Sequence, residues 1–247
     1  MLLALDIGNS STSIGLFRDT RLMYQSRCKT TRLFFFLLKK RNILSQADAV
    51  IVASVVPGKN ARLRQLLKTK LDIKKIGFVS HKLRLPIRLP RAYKTAGADR
   101  IANDSAAYFR YRSAVLVIDY GTATTMDYID QKGRYRGGII CPGVEISAKA
   151  LFNHTAVLKK HASLLRKPKR VVGRKTAEQI QSGLIHGHAA MVDRLIEKVR
   201  SEIAARPKII ATGGWARLIV SLMKHRQIVW PHLTLEGLRL LSTLNRA

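Results

Sequence analysis

Two stretches of this 247-residue chain place an aspartate, a glycine and a burst of hydroxyl residues at the end of an apolar run. The first is Asp6-Ile7-Gly8-Asn9, followed by Ser10, Ser11, Thr12 and Ser13; the second is Asp119-Tyr120-Gly121-Thr122, followed by Thr124 and Thr125. Glycine in a tight turn lets backbone amides approach an anion, and the amides and hydroxyls after it donate to phosphate oxygens. A carboxylate at the strand end is placed to hold a hydrated metal ion that neutralises the same phosphates. Either copy alone reads more simply as a hairpin with a polar turn. Two copies 113 residues apart, in corresponding places, read as two half-sites for one polyphosphate. A glycine pair, Gly213-Gly214 in "IIATGGWARL" (209–218), is suited to contact a nucleoside, and no G-x-x-x-x-G-K-[ST] loop occurs.

Short apolar runs bounded by Gly, Asp and Asn predict the strands that carry these turns. They lie at 2–7, 13–17, 48–56, 75–80, 114–119, 124–129, 134–141 and 208–214. Helical spacing predicts helices over 60–70, 98–111 and 144–152. A longer one begins at Thr176, with Ile180, Leu184, His188, Met191, Leu195, Val199 and Ile203 on one stripe and Thr176 with Gln179 as a capping box. Strands alternating with helices predict an α/β fold. The repeated phrase predicts two related halves, 1–112 and 113–247, which share an interface because no low-complexity linker separates them.

The composition is 47% hydrophobic, enough to bury a full core at this length. Cys28 and Cys141 match no disulfide framework and no metal spacing, which fits a reducing compartment. The apolar run 33–38 ends in Lys39, Lys40 and Arg41, far short of the roughly 20 residues that span a bilayer. With no signal-peptide pattern before Asp6, the expectation is a soluble cytoplasmic protein with no membrane partner. The net charge of +30 draws anions. The acid-free stretch 159–175 is its densest part, and it lacks the interleaved aromatics of a single-strand platform. It reads as a solvated basic surface or as a surface for an acidic partner. Nucleic acid is expected to bind only non-specifically, through counterion release.

The order of two phosphate turns and a later Gly-Gly resembles the actin, sugar kinase and Hsp70 ATPase superfamily. That likeness implies two ribonuclease H-like halves with a nucleotide cleft between them. Within it, "DIGNS" (6–10), "GADRIAND" (97–104), "DYGTATTMD" (119–127), "GGIICPG" (137–143) and "VVGRKTAEQIQSG" (171–183) together resemble type III pantothenate kinase. The resemblance implies transfer of the ATP γ-phosphoryl group to the primary hydroxyl of pantothenate, with Mg²⁺, by a homodimer. Carried over by position, Asp6, Ile7, Gly8, Asn9, Ser10, Ser11, Thr12 and Ser13 match the ATP-binding turn, and Thr122 a further ATP contact. Gly97, Ala98, Asp99 and Arg100 match the pantothenate motif, with Asp99 as proton acceptor. Thr176 matches a second pantothenate contact, and Asp119 the ligand of a monovalent cation, K⁺ or NH₄⁺.

Asp99 equally suits a helix N-cap or first-turn carboxylate, and Thr176 a helix cap. The sequence departs from the family where its pocket tyrosine stands: Pro90 occupies that position and the nearest aromatic is Tyr93. Whether Tyr93 takes its place stays open. His154 and Lys159 stand where small residues and Pro are usual, and His154 is either a solvent-facing filler or an added phosphate contact. Two other readings keep the fold: a regulatory, nucleic-acid-associated protein, since part of this family is known as Bvg accessory factor, and a kinase for another hydroxylated substrate.

Overall fold

The structure, a computed structural model, describes residues 1–90, 93, 96–153 and 165–245. His154 and Lys159, together with residues 159–164 of the basic stretch, lie outside the described residues. The chain divides into two compact units. One comprises Met1–Arg112, Gly133–Tyr135 and His232–Ala247; the other comprises Ser113–Lys132 and Arg136–Pro231.

The first unit is built on β1 (Leu2–Ile7), β2 (Ser11–Arg18) and β3 (Arg21–Lys29). After α1 (Leu33–Lys39) and α2 (Arg41–Leu44) come β4 (Ala49–Ser54), α3 (Asn60–Lys70), β5 (Lys75–Phe78) and α4 (Ala98–Tyr111). Its sheet has the order β3-β2-β1-β4-β5. β1 pairs antiparallel with β2 and parallel with β4. Side chains alternate across a strand, so β1 feeds two cores. Leu3, Leu5 and Ile7 pack with Leu33, Leu37 and Leu63. Leu2 and Ala4 pack with Ile101 and Leu238 on the other face. This double burial is why the run 2–7 carries no polar alternation.

The second unit repeats the plan with β6 (Val115–Tyr120), β7 (Ala123–Ile129), β8 (Tyr135–Pro142), α5 (Val144–Asn153) and α6 (Thr176–Ile203). It continues through β9 (Lys208–Thr212), α7 (Ala216–Val220) and β10 (Ile228–Val229). The order β10-β9-β6-β7-β8, read from its other edge, is the order of the first sheet. β6 pairs antiparallel with β7 and parallel with β9, as β1 does with β2 and β4. Two five-stranded mixed sheets of one topology make the two related α/β halves.

The last helix, α8 (Leu233–Leu244), belongs to the first unit although it follows the second in sequence. Its Leu235, Leu238 and Leu241, at helical spacing, join the cluster that holds Ala98, Ile101 and Ala102 of α4. The apolar run 33–38 is α1, with Leu33 and Leu37 buried one turn apart and Phe35 69% exposed. β3 alternates exposed Arg21, Met23, Gln25, Arg27 and Lys29 with half-buried residues, the pattern of an edge strand.

On α6 the buried face is turned about one residue from the expected stripe, running through Ile185, His188, Ala189, Val192 and Ile196. The expected capping box is also absent, because Lys175 is the N-cap and Thr176 is already helical. Instead the Glu178 carboxylate accepts the Arg174 backbone N–H at 2.9 Å, and the buried Ser182 hydroxyl ties down the exposed segment before the helix by donating to the Val171 carbonyl. No helix of the described residues is long and apolar enough to cross a membrane.

Candidate functional site

Asp6 is the penultimate residue of β1, and Gly8 closes the turn to β2 by donating its N–H to the Ser11 carbonyl at 3.1 Å. Asn9 and Ser10 are exposed at the tip, and Asp6 stands opposite Ser13 across the hairpin. Ile7 and Thr12 are fully buried, so of these eight residues these two have only backbone to offer a ligand. The Thr12 hydroxyl lies 3.0 Å from that of Thr30, whose own hydroxyl donates to the Gly8 carbonyl at 2.7 Å. The Thr30 N–H donates to the Ser10 carbonyl at 3.1 Å. Thr30 thus ties the glycine of the turn to the strand behind it. On the exposed side, the Arg27 guanidinium donates to the Ser11 hydroxyl at 2.7 and 3.0 Å, adding positive charge to the turn.

Neither Thr30 nor Arg27 was legible as a site residue, because each reaches the turn only through β2–β3 pairing, Thr12 opposite Cys28 and Ser13 opposite Arg27. Thr30→Val keeps the shape and removes both hydroxyl contacts. Leaving buried partners unsatisfied costs about 1–3 kcal/mol. The expected result is a several-fold rise in the KM for ATP with a lowered Tm, read by steady-state kinetics and thermal unfolding.

Asp119 takes the equivalent, penultimate place in β6, and Gly121 and Thr122 form the turn to β7. A Cβ at Gly213 would stand 2.4 Å from Asp119 Oδ1, and Gly213 has φ +92, so only glycine fits beside the carboxylate. A Cβ at Gly143 would stand 2.4 Å from the Thr122 carbonyl and 2.5 Å from that of Gly121. Gly143 also donates its N–H to the Thr122 carbonyl at 3.1 Å. The Asp119 carboxylate is thus packed against the Gly213 backbone, and the Gly121 and Thr122 carbonyls against that of Gly143. Among the described residues no group of three His, Cys, Asp or Glu side chains gathers to hold a metal. Behind this turn, Thr124 lies 3.0 Å from His188 Nε2, and burial lowers the His188 pKa. Beside it the Trp215 indole N–H donates to Glu145 at 3.3 Å.

Gly97 is the N-cap of α4, and Ala98, Asp99 and Arg100 are its first three residues. Of the two local roles open to Asp99, the structure shows the first-turn carboxylate, facing the positive end of the helix dipole. Its Oδ1 accepts the Arg100 backbone N–H at 2.8 Å. A Cβ on residue 97 would stand 2.5 Å from that oxygen, so this glycine is required for space. A cavity of about 500 Å³ opens beside them, lined by Ser54, Val55, Ser80, His81, Gly97 and Ala98 among others. It lies past the carboxyl ends of the parallel strands β4 and β5, where open α/β sheets place ligands. Arg100 donates from Nη2 to the Tyr135 hydroxyl at 3.0 Å, and its guanidinium sits 5.4 Å from the Tyr93 ring centre. Thr176 is exposed at the start of α6 in the second unit.

A sequence model of type III pantothenate kinase matches residues 2–198. The chain belongs to the type III pantothenate kinase family. A type III pantothenate kinase of Anaeromyxobacter sp. (strain K) is 40% identical over 258 residues, covering 100% of both chains. Among solved structures, a conserved protein of Campylobacter jejuni assigned to the Baf family of transcriptional activators superposes with TM-score 0.62 at 19% identity. It covers 98% of this chain and 97% of that one. An inorganic polyphosphate/ATP-glucomannokinase from Arthrobacter sp. strain KM superposes with TM-score 0.52 at 15% identity, covering 99% of each. At these identities the structural likeness speaks for the fold, that of the sugar kinases and actin-like ATPases. Membership of the kinase family makes the chain a phosphotransferase.

Proposed function

We propose that this chain transfers the γ-phosphoryl group of ATP to the primary hydroxyl of pantothenate, giving 4'-phosphopantothenate, the first step of coenzyme A synthesis. The observation that carries the reading is the cavity bordered by Gly97 and Ala98 with Asp99 on the same helical turn. Asp99 accepts the proton of the substrate hydroxyl as the loose, metaphosphate-like transition state forms, and Arg100 and Thr176 hold the substrate. The backbone and exposed side chains of Asp6 to Ser13, with Thr122, hold ATP. Asp119 holds K⁺ or NH₄⁺. Bound Mg²⁺ neutralises charge on the phosphates, and the protein's own contribution is positioning. The active form is a homodimer, and the sedimentation coefficient tests that assignment.

Purified protein with ATP, Mg²⁺, K⁺ and pantothenate is expected to release phosphopantothenate and ADP. Folded protein that leaves pantothenate unchanged overturns the reading, and turnover of another hydroxylated acid in a substrate panel redirects it. Replacing K⁺ by Na⁺ is expected to lower the rate at least tenfold. In Asp119→Asn the rate is expected to be low with either ion, measured by coupled ADP release.

A further inference from the structure

Residues 133–135 leave the second sheet's unit and cluster with the first. Arg88 donates its N–H to the Gly133 carbonyl at 2.7 Å, and Tyr135 donates its N–H to the Arg88 carbonyl at 3.0 Å. Gly133 has φ +74, and a Cβ there would stand 2.8 Å from the Tyr108 ring. The segment is therefore pinned at both backbone faces and pressed onto α4. What this pinning fixes in space is the Tyr135 side chain, which is 6% exposed.

The Tyr135 hydroxyl accepts from Arg100 Nη2 at 3.0 Å and donates to the Tyr93 hydroxyl at 2.5 Å. The Tyr93 and Tyr135 rings stack with centroids 4.1 Å apart, tilted 32°. Arg100 and Tyr93 are thus both oriented by one phenol that itself sits behind them. A guanidinium is a planar fork, and hydrogen bonds at one edge set the plane in which its other edge meets an oxygen acceptor. The position expected to hold a pocket tyrosine carries Pro90, and the aromatic side chains beside Arg100 are those of Tyr93 and Tyr135.

We infer that Tyr135 is a positioning residue for substrate recognition: it orients Arg100 and Tyr93 toward a planar oxygen acceptor, carbonyl or carboxylate, of the pantothenate-class substrate. This rests on the proposed pantothenate kinase activity.

Tyr135→Phe keeps the ring stack and deletes the hydroxyl. It is expected to raise the KM for pantothenate about tenfold, to leave the KM for ATP within twofold, and to lower kcat by less than threefold. A residue that only supported the fold would move both KM values together. In an Arg100→Lys background the same change is expected to alter the pantothenate KM by no more than about threefold, the part that acts through Tyr93, because the rest acts through Arg100. Tyr93→Phe, at a less buried position, tests the other end of the relay and is expected to raise the pantothenate KM about threefold. If the unsubstituted enzyme phosphorylates pantothenate and neither phenylalanine variant shifts its KM, the positioning role is overturned while the activity stands. An equal effect of Tyr135→Phe in the Arg100→Lys background overturns it too. If the unsubstituted enzyme does not phosphorylate pantothenate, the activity and this inference fall together.

Discussion

Asp99→Asn is expected to lower kcat for pantothenate phosphorylation by a factor between about a hundred and ten thousand, the usual contribution of a positioned general base. At 1.36 kcal/mol per decade this is about 3–5 kcal/mol of barrier. Asparagine keeps the size of the side chain and an oxygen to accept the Arg100 N–H that Asp99 Oδ1 now receives at 2.8 Å. The local structure therefore has reason to persist. The lost carboxylate in the first turn of α4 costs only about 0.3–1 kcal/mol of helix-dipole stabilisation. ATP binding is expected to stay within twofold, because the residues assigned to ATP lie on the β1–β2 and β6–β7 turns. Single-turnover phosphoryl transfer and calorimetric titration of a non-hydrolysable ATP analogue separate the two effects. A variant retaining more than a tenth of the rate would remove Asp99 from the role of base. Its companion Gly97 gives an independent check on the same corner, since any side chain there would push against the Asp99 carboxylate.

The second large effect is expected at a crossing of two helices. Gly237 lies where α8 crosses α4, and a Cβ there would stand 2.1 Å from the Ala102 carbonyl oxygen and 2.6 Å from its carbon. Backbone cannot swing aside as a side-chain tip does, so Gly237→Ala must separate the two helices. Overpacking of this kind costs about 1–3 kcal/mol, and the better helix propensity of alanine returns at most about 1 kcal/mol of it. A net loss of about 1–2 kcal/mol corresponds to a Tm lower by about 2–8 °C in a chain of this size. Ala102 is one helical turn beyond Asp99, so the displacement also moves the carboxylate proposed as the base. A misplacement on the order of 1 Å costs about a hundredfold in rate. Gly187→Ala on α6 is the control, because nothing lies within 4 Å of the added methyl. There the Tm is expected to rise. If both alanines behave alike, the α4–α8 contact does not hold the site helix in place.

Histidine 188 adds a smaller pH dependence in the same terms. Its pKa is lowered by burial, so the unfolded chain takes up a proton there first as pH falls. The stability held by the neutral imidazole is present above its ordinary value and is lost as pH drops through the lowered one.

The sequence determined the local chemistry. Repeated D-x-G turns, the G-A-D-R block and the apolar runs of β1, β4, β6 and β9 were legible because each is a contiguous pattern. Turn geometry, helix starts and strands buried on both faces are written in neighbouring residues. The long α6 was legible as a helix for the same reason. Its exact buried face was not, since a 3.6-residue period tolerates a rotation of one position until neighbouring elements choose among them.

Only the tertiary structure decided the rest. That Thr12 turns inward to Thr30, 18 residues on, depends on strand pairing, and so does the arrival of Arg27 at Ser11. That α8 returns to pack on α4 depends on which unit has an uncovered apolar face, a property of no single segment. Tyr135 shows the limit most directly. It sits 35 residues from Arg100 in the chain, and it reaches that guanidinium because two backbone hydrogen bonds to Arg88 carry residues 133–135 to α4. Sequence patterns encode short-range stereochemistry, whereas a hydrogen bond between distant residues is fixed by the packing of everything that lies between them.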